Sequence, residues 1–185
     1  MEELIHFDEQ LFLYLNGLGT PTFDAFWMFI TGKWNAIPMY AILLVVLYKK
    51  LGVKKTLITL VFIGALIAST DQLANLFKSG FQRLRPWVNE DLDGLMRIVV
   101  EKRGIHSFFS GHAVNSMGLA VYIGLLLRHN YYYLPFILLL WAFTVGYSRI
   151  YVGVHYPLDV LTGFFFGSII GWGYYKLQLI AQKNL

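Results

Sequence analysis

Hydrophobic residues along this chain fall in long runs separated by short polar breaks. A helix needs about 20 mostly apolar residues to cross the hydrocarbon of a bilayer. Four segments approach that length: Thr56 to Phe77, His112 to Leu127, Tyr132 to Tyr147 and Leu158 to Leu179. The middle two sit near the lower limit and draw on their flanks. A shorter run, Trp34 to Tyr48, covers about 22 Å at about 1.5 Å per residue and must also borrow neighbouring residues. Residues 1–33 read differently. From Phe7 to Leu15 acids mix with apolar residues, and Pro21 to Ile30 is apolar but too short to cross. We read one or two amphipathic helices lying at the interface; the rival is a first span from Phe23 through Tyr40, which would have to bury Lys33. The pattern predicts an all-α, integral-membrane helical bundle with about five to six transmembrane helices plus an N-terminal interfacial helix.

Composition agrees with a membrane protein. Hydrophobic residues make up 57% and charged residues 14%, against about 25% charged in ordinary soluble domains, and the mean hydropathy is +0.55. The 185 residues fit one domain, 1–185, with no repeat and no low-complexity segment. With no Cys there is no disulfide and no Cys-based metal site. The start, Met1 to Phe7 with Glu2 and Glu3, lacks the basic residues of a signal peptide, so insertion is expected to rely on the spans themselves.

Charge gives an orientation. Lys49, Lys50, Lys54 and Lys55, then Arg128, then Lys176 and Lys183, fall on one side when the spans alternate, and no acid accompanies them. The positive-inside rule makes that side, with the C-terminus, cytoplasmic. The opposite side receives all eleven acids, with Asp71 and Asp159 counted at the outer ends of their helices. It also holds Lys78, Arg83, Arg85, Arg97, Lys102, Arg103 and Arg149, a cation excess that the rule does not explain.

Three clusters far apart in sequence are brought to that face by topology, and they take in Lys78, Arg83, Arg85 and Arg149 of those cations: Lys78 to Pro86, Ser110-Gly111-His112, and Ser148-Arg149 with His155 and Asp159. Arg suits bidentate phosphate contact and Lys supplies a point charge. Ser110 and Gly111 precede a helix start, where free N–H groups and the helix dipole favour an anion and a glycine lets the backbone approach it. His155 and Asp159 are four apart with Pro157 between them. Asp159 then lies in a first helical turn and can hold one imidazole nitrogen while the other attacks. His112, with an ordinary pKa near neutrality, suits protonation of a leaving oxygen. Taken singly, each has a bland reading: an Arg or Lys at a span end is usually a snorkelling anchor, and an interfacial His usually a hydrogen-bonding residue. Convergence of three clusters is what favours an active site.

In this arrangement the chain resembles the type 2 phosphatidic acid phosphatase superfamily. The family signature is Lys, six residues, Arg-Pro; then Pro-Ser-Gly-His; then Ser-Arg, five residues, His, three residues, Asp. Lys78 with Arg85-Pro86 matches the first part, and Ser148, Arg149, His155 and Asp159 match the third. The second part reads Phe109-Ser110-Gly111-His112, with Phe where the family usually has Pro. The motif-bearing region is thus 78–159. The resemblance implies metal-independent hydrolysis through a phosphohistidine, with no cofactor. His155 would be the nucleophile, Asp159 its orienting carboxylate and His112 the acid and later base. Lys78, Arg85, Arg149, Ser110 and the Gly111 backbone would hold the phosphate.

The expected function is that of a bacterial inner-membrane lipid phosphate phosphatase, its active site on the extracytoplasmic side. Its partners are the lipid phosphate and the bilayer, with no nucleic acid and no obligate protein partner. Alternatives are a metal-dependent hydrolase with His112, His155 and Asp159 as ligands, a vanadium-haloperoxidase-like enzyme, and a non-catalytic lipid-phosphate-binding protein. Candidate substrates are undecaprenyl pyrophosphate, phosphatidylglycerol phosphate, phosphatidic acid and phosphorylated lipid A. An outward-facing site that recycles its substrate tips the balance to undecaprenyl pyrophosphate or a related polyprenyl or glycolipid phosphate. The cations Arg97, Lys102 and Arg103 would suit a second phosphate, or serve as headgroup anchors.

Overall fold

A computed structural model of the chain describes residues 2–32 and 34–183. It places six α-helices along the chain: α1 Glu2–Gly17, α2 Pro21–Thr31, α3 Ile37–Phe81, α4 Gly111–Leu127, α5 Leu134–Tyr151 and α6 Pro157–Lys183. A straight helix of α3's 45 residues would run about 67 Å, more than twice the thickness of a bilayer's hydrocarbon. The helix is instead broken at Gly52, whose φ of 73° and ψ of 174° are non-helical, a conformation that costs a glycine little. The break falls between Lys49-Lys50 and Lys54-Lys55, where the hydrophobicity pattern predicts a connection. The arms, 37–51 and 53–81, face each other across a groove lined by Leu43, Leu44 and Leu47 from the first and Leu60, Ile63 and Ile67 from the second.

Five helical segments therefore run between two ends of the bundle. Of the described helices, α3 and α5 are long and apolar enough to cross a membrane, and α4, at 17 residues, is a shorter apolar helix. α4 is central, packing against α6, α5 and the second arm of α3. Its contact with α6 is close because small residues line it. A Cβ added to Gly167 would lie 2.6 Å from the Val114 carbonyl oxygen, and one on Gly171 would lie 2.4 Å from that of Gly118. With Gly163 these make a four-residue glycine repeat of the kind that lets membrane helices approach backbone to backbone. At the end away from the motifs, Gln178 donates to the Thr59 hydroxyl at 2.8 Å and accepts from the Tyr122 hydroxyl, tying α6, α3 and α4. Lys50 lies 5.2 Å above the Tyr131 ring, which places the elbow of α3 and the α4–α5 turn at that same end.

α1 and α2 cover the opposite end. Asp8, Phe12 and Asn16 form a buried stripe on α1, four residues apart, while Leu4, Phe7 and Tyr14 on its other faces are exposed. α2 stops at Thr31 and α3 begins at Ile37, so the rival single span from Phe23 through Tyr40 does not form. Lys33, on which that rival turned, lies outside the described residues.

Candidate active site

Every motif residue lies at the end of a helix or in the segment just beyond it, at the α1–α2 end of the bundle. Lys78 sits in the last turn of α3, its ammonium 3.9 Å from where a Gly111 Cβ would stand. The chain then leaves the helix through Gln82, in the left-handed region at φ 51°, and pairs with residues 105–107. The Arg85 N–H donates to the Ile105 carbonyl at 2.9 Å, its Nε donates to the His106 carbonyl at 3.0 Å, and the Ser107 N–H donates to the Arg83 carbonyl at 2.8 Å. The Arg85 guanidinium stands 5.0 Å above the Trp87 ring. These contacts fix the second cation relative to the first.

Ser110 is the N-cap of α4, its hydroxyl accepting from the Ala113 N–H at 3.4 Å, as a cap residue should. Its own N–H donates to the Asp159 carbonyl at 3.1 Å, joining the starts of α4 and α6. Phe109, in the place of the usual Pro, is fully buried; it stacks on Phe166 at 5.4 Å and meets Phe77 edge-on at 5.2 Å. The departure from the family pattern thus puts an aromatic anchor behind the cradle. His112, in the first turn of α4, lines a cavity of about 300 Å³ with Thr31, Tyr40 and Asn115.

Arg149 closes α5, and its side chain donates to the Thr31 hydroxyl at the end of α2. Its carbonyl accepts from the N–H groups of Val154 at 3.0 Å and His155 at 3.3 Å, folding the α5–α6 connection back over the helix end. Gly153 permits that turn: φ is 83°, and a Cβ there would lie 2.4 Å from the Arg97 carbonyl oxygen. His155 and Asp159 are almost wholly buried, at 2% and 0% exposure. The imidazole Nδ1 lies 3.2 Å from Asp159 Oδ2, and the same carboxylate oxygen accepts from the Tyr156 N–H at 3.0 Å. That leaves Nε2 away from the carboxylate. Burial, then the charges of Arg85, Arg149 and Lys78, hold His155 well below its usual 6.5, so the imidazole is neutral at neutral pH. All eight residues expected from the sequence, Lys78, Arg85, Ser110, Gly111, His112, Arg149, His155 and Asp159, are thereby gathered around one point. Ser148, the other motif residue, turns inward instead and bonds to the Val145 carbonyl at 2.6 Å. Among the described residues, no three His, Asp or Glu side chains gather in a metal-ligating group.

A supporting layer lies behind these residues and outside the sequence motifs. Arg83 reaches Asp159 Oδ1 at 3.3 Å and Asp8 Oδ2 at 2.8 Å, and its guanidinium lies 3.9 Å above the Tyr156 ring. Asp8 in turn accepts from the Leu158 N–H at 2.9 Å, and Asn16 donates to the carbonyls of Arg97, Ile150 and Tyr151. The helix α1 is thus bolted to the start of α6 and the end of α5. The four-residue spacing of Asp8, Phe12 and Asn16 was the available signal. Arg97, expected as spare charge for a second phosphate, is held by both oxygens of Asp24 at 2.9 Å. Arg103 pairs with Glu101 at 2.6 Å but also lines, with Arg85, Arg149 and Trp87, an outer cavity of about 430 Å³.

Two histidines and three cations around a helix N-terminus, in a bundle of apolar helices, define a membrane phosphohydrolase by class. The profile of the PAP2 superfamily matches residues 56–183. The chain is 39% identical to a lipid A 4'-phosphatase of Bacteroides thetaiotaomicron, over 99% of its own length and 80% of that protein's. It is 34% identical to a lipid A 4'-phosphatase of Porphyromonas gingivalis, over 100% and 78%. Its fold matches the crystal structure of Aquifex aeolicus LpxE with a TM-score of 0.70 and 27% identity, over 90% of this chain and 93% of that one. The chain belongs to the PAP2 superfamily, and it is a membrane-embedded lipid phosphatase of that family.

Proposed function

We propose that the protein removes a phosphate monoester from a glycolipid of the lipid A kind, on the extracytoplasmic side of a bacterial inner membrane, through a phosphohistidine on His155. The observation that carries this reading is the buried His155–Asp159 pair at 3.2 Å, set among Lys78, Arg85 and Arg149. Asp159 accepts the hydrogen bond of the Nδ1–H, which fixes the tautomer and leaves the lone pair of Nε2 free to attack phosphorus, and its charge stabilises the imidazolium that forms. The bond from phosphorus to the lipid oxygen breaks, and protonated His112 gives that oxygen its proton. The three cations, with Ser110 and the N–H groups at the start of α4, stabilise the charge on the transferring phosphoryl group. Water then attacks the phosphohistidine while neutral His112 takes its proton. The phosphorus–nitrogen bond breaks and inorganic phosphate leaves.

Sidedness rests on charge. The elbow lysines, Arg128 and the basic C-terminal end of α6 lie at the far end of the bundle from the site, and such residues stay cytoplasmic. The glycolipid, favoured over a polyprenyl pyrophosphate, rests on the two lipid A relatives. A phosphate-release assay in detergent tests it, with phosphorylated lipid A, undecaprenyl pyrophosphate, phosphatidylglycerol phosphate and phosphatidic acid as substrates. Preference for lipid A, lost in His155→Ala, is expected; preference for the pyrophosphate would replace the substrate and leave the chemistry standing.

A further inference from the structure

One ionisable side chain of the membrane-spanning bundle has no part in the chemistry above. Asp71 lies on the second arm of α3, seven residues before Lys78, about 10 Å down the helix from the phosphate cradle. Its carboxylate is exposed on the flank of the bundle. A charge in that position is costly, and it is retained where it meets a partner, a water-filled cavity or a ligand. One partner is present: the Asn115 side-chain amide donates to Asp71 Oδ1 at 2.9 Å. Asn115 is itself held from behind, its carbonyl oxygen accepting from the Thr70 hydroxyl, which lies in the buried stripe of α3. The amide is thereby turned so that its N–H groups point to Asp71. Among the described residues no group donates a hydrogen bond to the second carboxylate oxygen, Oδ2.

The position of this pair gives it a use. Asn115 is one turn below His112, and the two line the same cavity. Ile67, one turn below Asp71 on α3, lines that cavity and also the groove between the arms of α3, as do Tyr40 and Leu119. The residues shared by the two cavities lead from the leaving-group acid, past Asn115, into an apolar groove of about 430 Å³, with Asp71 bonded to Asn115 on the flank beside that path. A lipid with its phosphate in the cradle and its tail in the groove passes Asn115 with the linkage between headgroup and hydrocarbon, within one hydrogen bond of Asp71.

We propose that Asp71 and Asn115 form a recognition site for a hydrogen-bond donor, a hydroxyl or amide N–H, in the linkage between the phosphorylated ring and the tail of the substrate lipid. The inference rests on the glycolipid reading, because an acylated aminosugar carries such donors within reach of its phosphate. Phosphatidic acid, with ester-linked chains, has none outside the phosphate itself. Burying the donor without an acceptor would leave it unsatisfied.

The test compares Asp71→Ala and Asp71→Asn with the unaltered protein in detergent, on phosphorylated lipid A and on phosphatidic acid. On lipid A, KM should rise about tenfold in Asp71→Ala, as for loss of one hydrogen bond to a charged group, with kcat within twofold. Asp71→Asn, which keeps an acceptor, should fall between. On phosphatidic acid both constants should stay within twofold, which also reports that the variants fold. Equal losses on the two lipids would assign the pair to helix packing and overturn the proposal, as would an unchanged KM on lipid A. An unaltered protein that hydrolyses phosphatidic acid but not lipid A would remove the glycolipid reading, and the ligand of this site with it.

Discussion

Arg83 sits between two buried carboxylates, Asp8 at 2.8 Å and Asp159 at 3.3 Å, and the second of them holds His155, the proposed nucleophile. Removing the cation leaves two like charges facing each other out of water. Arg83→Gln should cost about 3 kcal/mol of stability or more and lower kcat. Adding Asp8→Asn to it should restore part of the stability, which a double-mutant cycle on melting in detergent would reveal; strict additivity would mean that the bridge carries no coupling. Asp159→Asn should lower kcat far more than it changes KM, since it disturbs the tautomer of His155 and not the phosphate cradle.

A second residue-scale outcome concerns pH. Folded His155 has its pKa depressed below the usual 6.5 by burial and then by Arg85, Arg149 and Lys78. As pH falls below about 6.5, the unfolded chain takes up a proton at this residue and the folded one does not, so its contribution to stability is lost. Melting temperature should therefore fall as pH drops from 7 through the window below 6.5, and less steeply in His155→Gln. An equal slope in the two proteins would assign the acid lability to other groups. The motif residues at this scale were legible in the sequence because their chemistry, spacing and helix-end positions are local facts. The partners of Arg83 and Arg97 were not: Asp8 and Asp24 lie some 75 residues away in sequence, and only the folded path of α1 and α2 brings them in.

Among the elements, α6 depends on closeness more than on hydrophobicity. Gly163, Gly167 and Gly171 sit where a Cβ would meet the α4 backbone within 2.9 Å, and the same contact sets Ser110 against Asp159. Gly167→Val should push α6 away from α4 and move His155 relative to His112. Turnover should fall about a hundredfold, as displacements near 1 Å do in active sites. Phe165→Ala, at a side chain 61% exposed toward lipid, should leave turnover nearly unchanged. Equal activity of Gly167→Val and the parent would mean the helices adjust without moving the site. The span positions followed from hydrophobic run length, and the break at Gly52 from the lysines beside it. The glycine repeat was visible as a spacing of four but carries no meaning until a facing helix is known. The end of α2 at Thr31 was ambiguous for a related reason, because an apolar stretch continues on both sides of Gly32.

The whole molecule has a basic end and a catalytic end, and the proposed orientation makes one prediction for each. Glu101, 79% exposed at the catalytic end, should react as Cys with an impermeant reagent in intact cells. Lys54, at the elbow of α3, should react as Cys only after the membrane is opened. The opposite pattern would invert the topology and place the site in the cytoplasm.

The phosphohistidine is tested most directly by trapping it. The purified protein would be mixed briefly with a substrate lipid carrying labelled phosphate, quenched in alkali, where phosphohistidine survives, and digested for mapping. Label on the peptide containing His155, absent from His155→Ala, is the expected result. Label on another residue, or turnover without any protein-bound phosphate, would contradict it.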